Sequence, residues 1–379
     1  MTTPSTAPLD RTFSLYLDLT RFIAAALVVL SHFVDPALVS RSTGLAIPDL
    51  GREAVVLFFV LSGFVIAYTT EYKRQSPRDY IVARSARIYS VALPVLLLAF
   101  PLAAAAMYFT DFQPSAWYQL AKAYFYLPFH LLFAGELWNF SESPPSLSPY
   151  WSLNFEVWYY VLFGAAIYLQ GKRRIVVLAA LMLFVGPKLW LLLPVWWSGV
   201  WLYRWQARNS MQVASARFGW AISLVCLGLF AYYDVDAMLR TFVQDTWPFK
   251  GLPLRSADQF LADYFNCAMV LVHLGCARYC NFQGLHRLAT PIVQLSSHTF
   301  TLYLLHSLVK DMWIAFYRPV PDNVVDLGLL VLAIGLSTYL LGFVSEKKKK
   351  QSQRLCEWLF DGASAAVQRV TGTKVSRVS

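Results

Sequence analysis

The segment Leu15 to Phe33, LYLDLTRFIAAALVVLSHF, has the length and apolarity of a bilayer-spanning helix, yet it carries Asp18, Arg21 and His32. A charged group inside a spanning helix costs about 3 kcal/mol or more, so each of these residues needs a reason to be there. Asp18 and Arg21 are three residues apart, share a helix face and can pair. Arg21 and His32 are eleven residues apart, close to three whole turns, which puts them on one stripe roughly 16 Å apart along the axis. Other polar residues are expected at the same two levels. Arg84 and Arg87 lie one turn apart at the start of a later span, and paired guanidiniums present rigid forks of donors that suit phosphate. Glu156 and His306 are expected at the level of His32, in the outer halves of their spans, with Tyr303 one turn before His306. A histidine at that level could act as general base on a hydroxyl or take up a transferred group itself. A glutamate beside it could orient the imidazole.

Each of these residues also has a plainer reading. Asp18 and Arg21 could be an ion pair at the membrane edge, and His32 and His306 hydrogen-bonded core histidines. Arg84 and Arg87 could be ordinary cytoplasmic positive charge. Glu156 could form a structural ion pair with Arg52 or Arg318. Ser62 and Gly63 in FFVLSGF allow either a neighbouring helix or a ligand chain to approach closely. His130, His273, His286 and His298 make no metal-ligand spacing with acids or cysteines, so no metal is expected. There is no G-x-S-x-G elbow, Walker A loop or dinucleotide fingerprint, and no bound cofactor is expected.

The elements that must position these residues are membrane helices. The chain has 379 residues, 57% of them hydrophobic and only 14% charged, and its mean hydropathy is +0.47. A soluble domain is nearer a quarter charged. The net charge of +10 is explained by basic loops on the cytoplasmic side rather than by a nucleic-acid partner. The polar N-terminus precedes an apolar run long enough to stay as a span, so no cleavable signal peptide is expected. The five cysteines form no C-x-x-C pair and read as small buried hydrophobes.

Apolar runs predict spans at about 15–33, 53–70, 88–110, 150–170, 175–187, 189–205, 218–233, 259–277, 291–312 and 324–344. Residues 115–134 read as an interfacial or re-entrant segment. The fold class is therefore all-α, a polytopic membrane bundle of about ten transmembrane helices with both termini cytoplasmic. Residues 1–13 form a cytoplasmic N-terminal segment, 14–346 the transmembrane domain, and 347–379 a basic cytoplasmic tail that begins as a surface helix around Leu355, Trp358 and Leu359.

Five stretches in order resemble the acyltransferase 3 family of integral membrane O-acyltransferases. LDLTRFIAAALVVLSHF resembles its first helix, with Arg21 and His32 in an Arg-x10-His pattern. GREAVVLFFVLSGFVIAY resembles its second helix, YIVARSARIY its Arg-x-x-Arg segment, YWSLNFEVWYY its Trp-Ser-Leu-x-x-Glu segment, and SSHTFTLYLLHSLV its late helix ending at Tyr303 and His306. The likeness extends over roughly residues 14–346. Val157 stands where the family often has a second acid, and Ser297-His298-Thr299 where Ser-Tyr-Ser is usual. No hydrolase-like domain follows the last span here, so transfer is expected of the membrane domain or of a separate partner.

The resemblance implies transfer of an acyl group, usually acetyl, from acyl-CoA to a hydroxyl of a glycan or other cell-surface or secreted acceptor, at the inner (plasma) membrane. It points to His32, Arg21 and Glu156 as the catalytic set. Arg84 and Arg87, with Ser62, Tyr303 and His306, are the expected substrate contacts. The competing class is a transporter that moves an anionic solute along the Arg21–His32 stripe. A transporter is expected to show paired broken helices, and the sequence shows one break, at Gly186-Pro187.

Overall fold

The computed structural model describes residues 9–40, 49–113, 122–246, 248–345, 351, 353–358 and 360–362, and no strand occurs among them. Seven helices lead the chain: α1 (Arg11–Ser31), α2 (Gly51–Tyr72), α3 (Pro77–Phe109), α4 (Ala123–Leu131), α5 (Tyr150–Tyr168), α6 (Gly171–Val185) and α7 (Pro187–Gln206). Six follow: α8 (Val213–Tyr232), α9 (Val235–Asp245), α10 (Phe260–Ala277), α11 (Ala289–Ser296), α12 (Thr299–Tyr317) and α13 (Val324–Ser345). A 3-10 turn, His32–Val34, extends α1.

Among the described residues, six stretches are long and apolar enough to cross a bilayer: α1 with its 3-10 turn, and α2, α3, α8, α10 and α13. Together α6 and α7 pass the same test, but they bend by 119° at Gly186, where φ is +85°. Both α5 and α12 fall short on apolarity, because they carry the polar residues that face the bundle interior. The side chains of Val225, Leu332, Leu336 and Val344 on α8 and α13 are exposed. Such surfaces belong in hydrocarbon and identify a membrane protein.

At the centre lies α2, packed against α1, α7 and α10. Two glycines permit its close approach to α7. A Cβ at Gly63 would run into the Trp196 carbonyl, and one at Gly199 into the Val60 carbonyl, so these backbones touch where no side chain could fit. The packing reading of the Ser62-Gly63 pair therefore applies to Gly63, whereas Ser62 lines a cavity.

Several boundaries differ from those expected. The third helix starts eleven residues before 88, at Pro77, because Ser76 caps it: Ser76 Oγ accepts from the Asp79 amide at 3.1 Å and donates to its carboxylate at 2.8 Å. Arg84 and Arg87 are therefore inside a continuous helix. Pro94 and Pro101 lie within it too, without ending it. The span expected at 291–312 is two helices, α11 and α12, that meet at Ser297 and His298. Of segment 115–134, residues 115–121 lie outside the described residues. The remainder holds α4, whose nine residues rise only roughly 13 Å, too short to cross. In the tail, residues 351, 353–358 and 360–362 are helical, and Asp361 accepts from Arg78 at 2.8 Å. The side chain of Leu359 is outside the described residues.

Candidate active site

Six of the eight residues expected at a site line one cavity of about 60 Å³: Arg21, Ser62, Arg84, Arg87, Glu156 and Tyr303. They come from five helices, α1, α2, α3, α5 and α12. At roughly 10–15 Å³ for each water, the space suits a small group. Three guanidiniums and one carboxylate border it, so its balance is positive. Arg21 keeps the expected partner, donating to Asp18 Oδ1 at 3.0 Å. Arg84 Nε is buried and has no hydrogen-bond partner among the described residues. Glu156 Oε1 accepts from Ser62 Oγ at 2.6 Å and also from the Tyr160 hydroxyl. Trp196 Nε1 donates to Ser62 Oγ at 3.1 Å and fixes that hydroxyl in turn.

The remaining two residues, His32 and His306, stand together elsewhere, their rings 4.9 Å apart and nearly perpendicular. His32 Nδ1 lies 2.9 Å from the Val28 carbonyl and His306 Nδ1 3.0 Å from the Leu302 carbonyl. A carbonyl only accepts, so each Nδ1 carries the proton in the neutral ring and each Nε2 presents a lone pair. His32 Nε2 meets Ser148 Oγ at 3.2 Å, and Ser148 Oγ meets Ser307 Oγ at 3.1 Å. His306 is buried and hydrogen-bonded through Nδ1, as a core histidine is, while its Nε2 is buried without a partner among the described residues. Just past α1, Asp35 pairs with Lys310 at 2.8 Å. Burial alone would raise Asp35, but hydrogen bonds from Lys310 and the Ala37 amide hold its carboxyl below the usual range.

The placement of Glu156 is a correction. It was expected at the depth of His32, but it lies with the arginines and makes no hydrogen bond to either histidine. The reason is helical rise. His32 ends its helix at the level of Ser148, and Glu156 is eight residues further on, roughly 12 Å deeper. Nor does Glu156 pair with Arg52 or Arg318. Arg52 forks onto Asp263 at 2.8 and 2.5 Å, and Arg318 reaches Asp111 at 3.1 Å.

A polar ladder joins the two groups. Ser148, Ser152, Glu156 and Tyr160 recur every four residues along α5 and the turn before it, so they share a face. Tyr303, whose hydroxyl lies 2.6 Å from Ser152 Oγ, borders the cavity, and its ring lies 6.4 Å from that of His306. Sequence reasoning missed Ser148, Ser152 and Tyr160, although their four-residue spacing from Glu156 was visible. It also missed Trp196, for which a different helix gave no signal. Nor did it find Glu136 and Lys188, a buried pair at 2.5 Å that locks the loop before α5 onto α7.

The acyltransferase 3 family, described as an acyltransferase domain, matches residues 14–345 of this chain. The chain belongs to that family. The match takes in every helix from α1 to α13 but for the first three residues of α1, and both polar groups. An exopolysaccharide production protein, ExoZ, of Rhizobium meliloti (strain 1021) is 29% identical over 137 residues, 35% of this chain and 40% of that protein. The matched stretch is thus well under half of that relative. No solved structure matches this acyltransferase-family chain.

Proposed function

We propose that this chain is a plasma-membrane O-acyltransferase that moves an acetyl group from acetyl-CoA, bound at the arginine end, to a hydroxyl of a glycan held at His32. The observation that carries the reading is the orientation of His32. Its proton is committed to the Val28 carbonyl and its Nε2 lone pair faces Ser148, at the exposed end of the polar ladder. A neutral imidazole so held is a general base for a hydroxyl that replaces or joins the Ser148 contact.

The donor reading rests on charge. Arg21, Arg84 and Arg87 border the cavity, and the unpartnered Arg84 Nε suits a phosphate oxygen. In the reaction the acceptor oxygen gives its proton to His32 Nε2 and forms a C–O bond with the thioester carbonyl carbon. The C–S bond then breaks, and the sulfur leaves as thiol by taking the proton back from the imidazolium. The products are an ester and free CoA. An anion transporter would use the same arginines, but the family match is to an acyltransferase domain. The role of the relative in exopolysaccharide production supports a glycan acceptor. The test is label transfer: purified protein in nanodiscs with radiolabelled acetyl-CoA must acetylate surface glycan extracted from cells lacking the gene. Intact thioester and unlabelled glycan would refute the reading.

A further inference from the structure

Beyond Ser148 the polar ladder opens into a second cavity, of about 990 Å³, walled by the loop before α5, by α9, by residues 255–259 and by the start of α2. That volume lies at the upper end of the range for ligand sites. Its charges and its neutral polar groups behave differently. Seven charged side chains line it, and five of these are already held. Arg52 is paired with Asp263, Arg240 with Asp258, Glu136 with Lys188, and Asp311 with Lys310. The other two, Glu142 and Arg255, have opposite signs and make no ion pair among the described residues.

Of the uncharged polar groups, Ser141, Ser148 and Ser256 are hydrogen-bonded, but five others are not. The amides of Gln113, Asn139 and Gln259 and the hydroxyls of Ser143 and Ser146 line the same space, and none of them makes a side-chain hydrogen bond among the described residues. Ser146 Oγ is buried as well as unpartnered. Buried polar groups are ordinarily satisfied, so an orphan at a cavity wall marks a missing partner. Phe140 is 56% exposed and offers an apolar face to the same region.

We infer that this vestibule is the acceptor subsite and that it takes an uncharged oligosaccharide. The inference rests on the acyl-transfer reading for the role of the bound sugar, and on the cavity alone for its chemistry. A neutral glycan needs many donors and acceptors, a few apolar faces and no net charge. The vestibule offers free amides and hydroxyls, with three cations against four anions on its wall and most of them paired. A polyanionic acceptor would instead require several unpaired cations. Ser148 lines the vestibule and lies 3.2 Å from His32 Nε2, so a sugar hydroxyl that displaces the Ser148 contact would meet the imidazole.

The test is binding without any acyl donor, so that it succeeds or fails independently of transfer. Full-length protein in nanodiscs is titrated with neutral glucose tetrasaccharides of several linkages and with tetragalacturonate, read by saturation-transfer NMR. At least one neutral tetrasaccharide should bind, with tetragalacturonate at least ~10-fold weaker. Asn139→Ala and Gln259→Ala should each weaken the neutral ligand about 5- to 10-fold, in line with the loss of one to two hydrogen bonds. Stronger binding of the uronate, no binding of any neutral sugar, or binding indifferent to both amide variants would each overturn the inference.

Discussion

His32 Nε2 lies 3.2 Å from Ser148 Oγ, while Glu156, eight residues beyond Ser148, accepts its hydrogen bonds from Ser62 and Tyr160. The imidazole is oriented by a backbone carbonyl, and the carboxylate belongs to the arginine cavity. Glu156→Gln should therefore leave the pH midpoint of acceptor turnover within about 0.3 units of wild type. A carboxylate paired with the histidine would shift that midpoint by about 1 unit or more when removed. A pH profile of kcat/KM for the acceptor separates the two outcomes.

Arg84 offers an unpartnered, buried Nε to the donor. Arg84→Ala should raise the KM for acetyl-CoA about 10- to 100-fold, the loss expected for one charge-assisted phosphate contact. The KM for acetyl-pantetheine, which has no phosphates, should stay within about twofold. Equal losses on both donors would mean that Arg84 supports the cavity wall and not the phosphates.

Lys188 and Glu136 are each about 1% exposed, and Ser256 Oγ adds a hydrogen bond to Glu136 Oε2 at 2.5 Å. Removal of one buried charge leaves the other uncompensated, at a cost of about 3–5 kcal/mol. Lys188→Met alone should sharply lower the unfolding temperature in detergent. The double variant Lys188→Met with Glu136→Leu should recover most of the loss. A single variant as stable as wild type would contradict the burial of this pair.

Much of this arrangement was legible in the sequence, for identifiable reasons. Apolar runs report hydrophobic burial directly, so the α1, α2, α8, α10 and α13 spans emerge from composition. The Asp18–Arg21 pair follows from a three-residue spacing within one helix. What one helix cannot reveal is the level of its residues relative to another. Arg21 and Glu156 were assigned opposite levels, and only the packing of α1 against α2 and α12, and of α5 against α2 and α3, set them around one cavity. Arg84 and Arg87 are expected at the entrance of a span that begins near 88, and the Ser76 cap that starts α3 eleven residues earlier is a local signal the hydropathy pattern hides. Lys188 and Glu136 are 52 residues apart and pair only in three dimensions.

The central claim is that the His32 lone pair accepts the proton of the acceptor hydroxyl. The direct measurement is the rate of labelled acetyl transfer from acetyl-CoA to surface glycan, wild type against His32→Ala, in nanodiscs at equal protein and with unfolding temperatures compared. Loss of a general base should reduce that rate at least ~100-fold, with stability within a few degrees. Transfer at the wild-type rate by a folded His32→Ala protein would contradict the claim.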